Sequence, residues 1–374
     1  MKILFVTTIS NTVNAFLIPH IEMLISHGNR VDVAFNIEQE VKPEVYELGC
    51  KVHIVGFQRS PLNRNNYAAY KKLREIILYE KYDLIHTHTP VASACVRIAC
   101  RNLKFVKVFY TAHGFHFYKG APIKNWIIYY PIEKWLSKYT DVLITINQED
   151  FEFAKSKLKA KDVKQINGIG IDLKRFRPRS AELKKQMRNS YGYPDDEFIL
   201  VCIGELNHNK HQDMLIKAIS LLTAKMPKIK LLLAGIGICE NQYKLLANKL
   251  NVERNIEFLG YRRDIENLIL ATDLAVSSSR REGLPVNVME AMASGLPLVA
   301  TDCRGNRDLV KNGVNGYLVK TDDAAGMADS IEKVLQSAMI RERFSRNSLE
   351  TIKKYSLDRV KEDLEGLYLS YLGK

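Results

Sequence analysis

The 374-residue sequence lacks several features that would assign it directly to a class of protein, such as membrane or secreted proteins. It contains no run of 18 apolar residues, so we expect no helix that spans a bilayer. The apolar stretch Ile3–Val6 after Met1 and Lys2 is too short for a signal peptide, and no small-residue cleavage site follows it. We therefore expect a protein that stays in the cytoplasm.

Cysteine is scarce, and the sequence has no Cys-x-x-Cys pair. A disulfide framework or a zinc knuckle needs cysteines at characteristic spacings, so both are disfavoured. The six cysteines lie in apolar surroundings, which is typical of reduced core residues: Cys50, Cys95, Cys100, Cys202, Cys239 and Cys303.

Short apolar runs rich in β-branched residues alternate with helix-like segments along the whole chain. This alternation is typical of a parallel, doubly wound sheet, and 46% hydrophobic residues can fill the cores of two domains. The predicted strands are 2–8, 30–36, 51–55, 83–87, 107–112 and 141–146, followed by 198–203, 229–234, 256–259, 274–277 and 298–301.

The alternation is interrupted between Asp172 and Asp196 by a basic proline-containing segment, a charged helix and a turn. An exposed, polar break of this kind is typical of an interdomain linker. We therefore predict an N-terminal domain over 1–178 and a C-terminal domain over 179–356.

The segment 280–295 carries the strongest functional signal in the chain. Pro285 suits the first position of a helix, so Glu282 should lie in the preceding loop and Glu290 inside the helix. Three free amides would face an anion at the positive end of that helix: those of Gly283, Leu284 and Val286. Two carboxylates beside such amides suit a phosphorylated polyol, although a solvated loop before an amphipathic helix has the same spacing.

This segment resembles the Glu-x7-Glu signature of glycosyltransferase family 4, whose members are retaining nucleotide-sugar transferases. Further family-like motifs occur in the family's order: Asp83–His88, Thr111–Gly114, Asn167 with Gly168, Gly204 with Lys210, Gly260–Asp264 and Asn312–Gly316. The resemblance covers nearly the whole length. It implies an α/β protein of GT-B architecture, with two Rossmann-like doubly wound parallel-sheet domains facing a cleft and residues 357–374 packed back on the first domain.

The resemblance also implies roles for individual residues. Lys210 matches a lysine that binds the diphosphate, where a cation stabilises the charge of the leaving group. Glu290 matches the glutamate that holds both ribose hydroxyls, and Glu282 matches the one that contacts the transferred sugar. Arg262 would contact the base, although an exposed basic turn at Arg262-Arg263 explains the residue equally well. His113 would lie beside the donor sugar as a neutral imidazole. Gly283, Leu284 and Pro285 would complete the donor site, and no protein nucleophile is implied.

Two places depart from the family pattern. Glu205 stands where many members carry an arginine after the glycine that matches Gly204, and a carboxylate cannot neutralise phosphate. Three arginines are candidates for the replacement cation: Arg280, Arg281 and Arg304. The first loop has Asn11 and Asn14 instead of paired glycines; their side-chain amides offer donor contacts, and a plain turn before a helix explains them equally well.

His86 and His88 lie two residues apart at a strand end, and His113 and His116 follow the next strand. Four histidines suggest a metal site, but no carboxylate cluster accompanies them and the family implies no Asp-x-Asp site. We therefore expect no metal and no cofactor other than the donor substrate.

The segment Cys303–Asp308 resembles a variant found in bacterial capsule and exopolysaccharide transferases. It implies transfer of a hexose or N-acetylhexosamine to a glycan on undecaprenyl diphosphate, with a UDP-sugar as donor by family frequency. The alternatives are a nucleotide-sugar 2-epimerase, which needs a carboxylate set in the first domain that we do not find, and a non-catalytic protein that binds sugar nucleotides. A nucleic-acid-binding protein would explain the net charge of +13, but no recognition motif is present.

Positive charge is concentrated in the first half of the chain. Up to Arg179 there are 27 Lys and Arg against 16 Asp and Glu, and beyond it 28 against 26. Two stretches there, 67–74 and 115–138, mix cations with aromatic residues, a combination that favours anionic membrane surfaces. We expect peripheral association with the inner face of the cell membrane. If Trp126, Tyr130 and Trp135 instead belong to the core, the lysines only solubilise.

Overall fold

The computed structural model describes residues 1–372, which fold as two units. Unit 1 comprises Met1–Ile169 and the chain from Val360 onward, and unit 2 comprises Gly170–Arg359. The division thus falls before the basic segment, whereas the sequence pattern placed it after residue 178. The reason is that this segment packs within unit 2, where the Arg175 guanidinium lies 2.8 Å from the Glu266 carboxylate.

Unit 1 is built on a seven-stranded parallel sheet. Its strands are β1 (Lys2–Ile9), β2 (Arg30–Asn36), β3 (Val52–Ile54), β4 (Leu84–Thr87), β5 (Lys107–Ala112), β6 (Val142–Thr145) and β7 (Asp162–Gln165). The order across the sheet is β3-β2-β1-β4-β5-β6-β7. The winding reverses between β1 and β4, which is where doubly wound sheets bind ligands, at the carboxyl ends of the strands.

Helices cover both faces of this sheet because successive β1 residues point to opposite sides. Ile3 and Phe5 join one buried cluster, and Leu4 and Val6 join another. The helices are α1 (Ser10–Thr12), a π-helical turn (Val13–Leu17), α2 (Ile18–Ser26), α3 (Pro43–Glu47), α4 (Asn65–Glu80), α5 (Pro90–Cys100), α6 (Ile123–Leu136) and α7 (Gln148–Lys157). Helix α2 lies on one face, and α4 and α5 lie on the other.

Unit 2 is built on a six-stranded parallel sheet of order β10-β9-β8-β11-β12-β13. The strands are β8 (Phe198–Ile203), β9 (Ile229–Ala234), β10 (Ile256–Gly260), β11 (Leu274–Ser277), β12 (Leu298–Thr301) and β13 (Gly316–Val319). Its helices are α8 (Ala181–Tyr191), α9 (Gln212–Leu222), α10 (Glu240–Lys249), α11 (Ile265–Ala271), α12 (Val286–Ala293), α13 (Asn306–Leu309), α14 (Ala324–Gln336) and α15 (Ala338–Ile352), and α16 (Leu357–Leu372) follows them in the chain.

Helix α16 begins in unit 2 and joins unit 1 from Val360 onward. Val360, Leu364, Leu367 and Tyr368 are buried in the same cluster as Phe5. Their spacing places them on one face of the helix, so the helix supplies part of the apolar layer on that side of the unit 1 sheet.

Two sequence-based expectations about the core and the membrane are tested by the structure. All six cysteines are buried and form no disulfide, which confirms their assignment as core residues. Across residues 1–372, no helix combines the length and the apolar character needed to cross a membrane.

Candidate active site

The loop between β8 and α9 follows the carboxyl end of a central strand of the unit 2 sheet. Gly204 has a φ of +151°, and a Cβ there would lie 3.3 Å from the Lys210 Cε. Gly235, after β9, has a φ of +154°, and a Cβ there would lie 2.0 Å from the Gly204 carbonyl oxygen. Both positions have a positive φ that favours glycine, and at Gly235 a side chain would also overlap the backbone of Gly204. The tight loop therefore brings Lys210 back beside the end of β8.

Lys210 and Glu282, two of the predicted catalytic residues, form an ion pair. The lysine Nζ donates to the glutamate Oε1 at 2.6 Å, and the side chains are only 23% and 12% exposed. The lysine backbone is fixed as well, since its N–H donates to Asn207 Oδ1 at 2.9 Å and its carbonyl accepts from the Ser278 hydroxyl at 2.8 Å. A cation and a carboxylate are thus held together at the carboxyl edge of the sheet, without full access to water.

Helix α12 begins one residue later than the sequence predicted, because Pro285 is its N-cap and not its first helical residue. The proline has an extended ψ of 115°, so helical geometry starts one residue later. Leu284 and Pro285 are buried and Gly283 is half-buried. The Asn287 side chain donates to the Ile203 carbonyl at 2.6 Å and so ties the helix start to the end of β8. Among the residues that the structure describes, no side chain caps this end, which leaves its first amides available to an anion.

Arg304 and Gly305 hold the loop that carries Glu282. Arg304 is 3% exposed, and its Nε donates to the Glu282 carbonyl at 3.0 Å. Gly305 has a φ of +81°, and a Cβ there would lie 2.5 Å from the Gly283 carbonyl oxygen. Sequence reasoning considered Arg304 as a cation for phosphate and gave Gly305 no role. Gly305 could be recognised as part of this support only from its left-handed backbone conformation, which the sequence does not show.

Glu290 lies on α12 in a largely buried position. Burial raises the pKa of its carboxyl to about 7, and the nearby Arg175 guanidinium opposes this shift. Glu266, the ion-pair partner of Arg175, adds to the increase in the pKa. Within residues 1–372 this carboxyl has no hydrogen-bond partner. Glu290 is therefore a carboxyl group whose acceptor sites remain unused.

Arg262, the predicted base contact, is held by its neighbours. Its Nε and Nη2 donate to the two Asp264 carboxylate oxygens at 2.8 and 2.5 Å. The Tyr191 hydroxyl donates to the same carboxylate at 2.7 Å, and its ring lies 5.5 Å from the guanidinium. The guanidinium plane is thus fixed, and a contact with a base stays a prediction.

The structure distinguishes the three arginines that were candidates for the missing cation. Arg280 is paired with Asp322 at 2.6 Å, and Arg304 holds the backbone of the Glu282 loop. Arg281 is half-buried and has no carboxylate partner in the described chain. Glu205 is exposed and likewise unpaired there. Of the three, Arg281 is therefore the candidate that no described carboxylate holds, and its compensation for Glu205 stays a prediction.

His113 follows β5 in unit 1 and contacts a second histidine. Its Nε2 lies 3.2 Å from the His88 Nδ1, and the His88 ring stacks on Phe5 with centroids 5.6 Å apart. Burial lowers the pKa of His113 to about 4 and holds the pKa of His88 well below its ordinary value. Both imidazoles are therefore neutral near pH 7, as the predicted role of His113 requires.

His86 and His20 line the same small cavity as this pair. The His86 Nε2 lies 2.8 Å from the Thr111 hydroxyl, and its Nδ1 bonds the Tyr368 hydroxyl. The His20 Nε2 must carry its hydrogen, because it lies 2.9 Å from the Ile169 carbonyl, which can only accept. Across residues 1–372, no group of three or more His, Cys, Asp and Glu side chains is arranged to hold a metal ion.

The two asparagines of the first loop also lie in unit 1. The Asn14 amide donates to the Glu40 carbonyl at 2.8 Å and its oxygen accepts from the Lys42 N–H at 3.1 Å. These bonds fix the 40–42 loop and leave one amide hydrogen of Asn14 unused, so its donor contact stays a prediction. Asn11 lies in the short helix α1, with its oxygen 3.5 Å from the Ser10 hydroxyl, and its donor contact stays a prediction.

Comparison with known proteins gives consistent matches over both units. Residues 184–351 match the family of glycosyl transferases group 1, and residues 2–147 match glycosyl transferase 4-like proteins. The chain is 41% identical over 374 residues to "Putative glycosyltransferase EpsD" of Bacillus subtilis (strain 168), covering 99% of this chain and 97% of that protein. It is 26% identical over 303 residues to UDP-Gal:alpha-D-GlcNAc-diphosphoundecaprenol alpha-1,3-galactosyltransferase of Escherichia coli, covering 79% and 78%.

Solved structures show the same architecture. Anabaena Alr3699/HepE in complex with UDP aligns with a TM-score of 0.81 at 21% identity, covering 99% of this chain and 100% of that chain. WaaG, a glycosyltransferase involved in lipopolysaccharide biosynthesis, aligns with a TM-score of 0.77 at 14% identity, covering 98% and 99%. These likenesses establish the GT-B fold.

Proposed function

The chain belongs to the group 1 glycosyl transferases, and from this membership we propose that it moves a hexose or N-acetylhexosamine from a UDP-sugar to a glycan on undecaprenyl diphosphate. The acceptor is inferred from relatives whose names specify a diphospho-undecaprenol acceptor, in Escherichia coli and in Campylobacter jejuni. The choice of UDP is supported by the structural neighbour that was solved with UDP.

The observation that carries the donor chemistry is the ion pair between Lys210 and Glu282. Breaking a bond between a sugar and a diphosphate leaves negative charge on the leaving group, and preorganised donors stabilise that charge. The lysine ammonium and the first amides of α12 are such donors. An arriving diphosphate competes with Glu282 for the ammonium, which frees the glutamate to accept a hydrogen bond from a hydroxyl of the transferred sugar.

Two further residues complete the proposal. The Glu290 carboxylate accepts hydrogen bonds from both ribose hydroxyls, a role for which its two oxygens without partners are suited. His113 contacts the transferred sugar as a neutral imidazole, so it hydrogen-bonds a hydroxyl without adding positive charge beside a developing oxocarbenium ion.

A screen of donors tests this function directly. We expect UDP-sugars to raise the melting temperature and to be hydrolysed slowly without acceptor, with GDP- and ADP-sugars having less effect. We also propose that no metal takes part, so EDTA should leave turnover unchanged. Formation of a 2-epimer without acceptor, or loss of turnover in EDTA with recovery in Mg²⁺, would contradict the respective statement.

Helix α6 supplies a surface for the proposed membrane association. Ile123 and Ile127 are 77% and 69% exposed, and Ile128, Ile132 and Trp135 are exposed beside them. Trp126 and Tyr130 pack against the core, as the alternative interpretation of the sequence required, but Trp135 does not. Branched apolar side chains next to lysines favour insertion into the headgroup region of an anionic bilayer. We propose that α6 docks unit 1 on the inner face of the cell membrane.

Vesicle binding tests this docking. Wild-type protein should co-sediment with vesicles containing phosphatidylglycerol at low salt and be released at high salt. Replacing Ile127 and Ile132 with glutamine should weaken binding by about tenfold, since each loses part of its apolar burial in the bilayer. The matched control replaces Ile238 and Leu245, exposed apolar residues of unit 2, and should bind normally. Equal losses in both variants, or binding indifferent to lipid charge, would exclude α6 docking.

A further inference from the structure

Unit 1 contains a second concave surface, which the proposed transfer reaction does not use. A cavity of about 310 Å³ lies between α4 and the end of α5. Its lining includes Lys71 and Arg74 of α4, Arg101 and Asn102 after α5, and the apolar Ile98 and Leu103. A cavity of this size is near the lower end of the range for small-molecule sites, about 300–1,000 Å³.

The charge of this cavity is unbalanced. Lys71, Arg74 and Arg101 face it together with a single carboxylate, that of Glu75. In the part of the chain that the structure describes, none of the three cations forms an ion pair, although Lys71 lies 4.7 Å from the Tyr67 ring centroid. Three like charges around one cavity repel each other unless an anion lies between them. The lining therefore favours an anionic ligand.

The cavity is separate from the candidate active site. Arg101 and Leu103 come shortly before β5, whereas His113 follows its far end. A strand of six residues rises about 20 Å, so the cavity lies toward the opposite edge of the unit 1 sheet from His113. It cannot be part of the environment of that histidine.

The side chains define the ligand class. Two guanidinium groups offer the paired N–H donors that match phosphate oxygens, and Lys71 adds a mobile point charge. Ile98 and Leu103 supply an apolar wall for the group attached to the phosphate, and Tyr67 and Phe105 are exposed nearby in the chain. We propose that this cavity binds a phosphate ester, either the headgroup phosphate of an anionic lipid or a soluble ester. If the source is a lipid, the inference rests on the proposed membrane docking and names the ligand that docking recognises.

Three variants distinguish a phosphate site from diffuse charge. Arg74→Gln with Arg101→Gln removes both guanidinium groups. Arg74→Lys with Arg101→Lys keeps the positive charge but removes the paired N–H donors. Lys157→Gln with Lys159→Gln removes two exposed cations of unit 1 that lie outside the cavity. Each substitution is on the surface, and an unchanged melting temperature shows that the variants are folded.

Affinity is measured for vesicles of phosphatidylglycerol in phosphatidylcholine and, by calorimetry, for glycerol 3-phosphate. Since each basic residue contributes about fivefold to the affinity, Arg74→Gln with Arg101→Gln should weaken binding by about 25-fold. The affinity of Arg74→Lys with Arg101→Lys should be intermediate. Lys157→Gln with Lys159→Gln, the control, should lose much less affinity. Pocket-dependent binding of vesicles identifies the lipid source, and pocket-dependent binding of glycerol 3-phosphate alone identifies a soluble ester.

The proposal is overturned if neither probe binds in a manner that depends on Arg74 and Arg101. It is also overturned if Lys157→Gln with Lys159→Gln loses as much affinity as Arg74→Gln with Arg101→Gln, because the positive charge then acts diffusely. Hydrolysis of the sugar donor without membranes should be normal in all three variants. Loss of the phosphate site is therefore distinguishable from failure of the proposed transfer reaction, and the α6 variants report separately on docking.

Discussion

Lys210→Ala should lower turnover of the donor sugar by about 100-fold or more, because the variant lacks the ammonium that stabilises the leaving diphosphate. The fold should change little, since the lysine backbone is held by Asn207 and Ser278 through bonds that the substitution leaves in place. Steady-state kinetics with the best donor, together with the melting temperature, measures both effects. Lys217→Ala is the matched control, because Lys217 belongs to an exposed ion pair with Asp213 on the adjacent helix α9.

Glu282→Gln distinguishes the proposed competition from a merely structural ion pair. Without the carboxylate, Lys210 has no internal partner to leave, so UDP should bind about threefold to tenfold more tightly. Turnover should nevertheless fall, because the contact of Glu282 with the sugar is lost. Weaker UDP binding in this variant would contradict the competition, and normal turnover by Lys210→Ala would contradict the site itself.

Glu290→Gln should weaken UDP binding by about 50-fold, because an amide offers one acceptor oxygen where the carboxylate offers two charged ones. A carboxylate that accepts from both ribose hydroxyls must be ionised. Since its pKa is raised to about 7, UDP affinity of the wild type should increase as the pH rises through 7. The variant should lack this dependence, and calorimetric titrations between pH 6 and 8 measure both.

The same group should make the ligand-free protein less stable at high pH. An unfolded glutamate ionises near pH 4.5, so between there and about pH 7 the folded state retains a proton that the unfolded state has released. The free energy of unfolding therefore falls as the pH rises through this range. At pH 8 Glu290→Gln should be more stable than wild type by about 2–3 kcal/mol, with little difference near pH 4.5. Glu253→Gln, at an exposed position, is the control; the same gain there, or no gain in Glu290→Gln, would contradict the interpretation.

The sequence predicts most of the sheets because their strands are continuous apolar runs, as in β5 and β8. It misses β7 (Asp162–Gln165), an edge strand with one apolar residue among polar and charged ones, and β13, a short strand that begins with a glycine. Helix α12 was predicted to within one residue at its start, because Pro285 marks that end and Ser294-Gly295 follows the other.

The contacts within the candidate site could not be predicted from the sequence. Lys210 and Glu282 are 72 residues apart in the chain, and only the tertiary fold makes them an ion pair. The role of Asn14 in fixing the 40–42 loop and the left-handed conformation of Gly305 likewise depend on backbone that is distant in sequence. Motifs therefore predicted the candidate residues, whereas the contacts between these residues required the structure.

The passage of α16 into unit 1 has a consequence for biosynthesis. Unit 2 is one continuous stretch of chain, whereas the apolar layer of unit 1 includes Val360, Leu364 and Tyr368, which are synthesised after all of unit 2. During translation, unit 1 is synthesised first but exposes part of its apolar interior for longer. Unit 2 is synthesised later but can complete its core first. Chaperones should therefore be needed most by unit 1, until the ribosome has released α16 and this helix covers the exposed apolar residues.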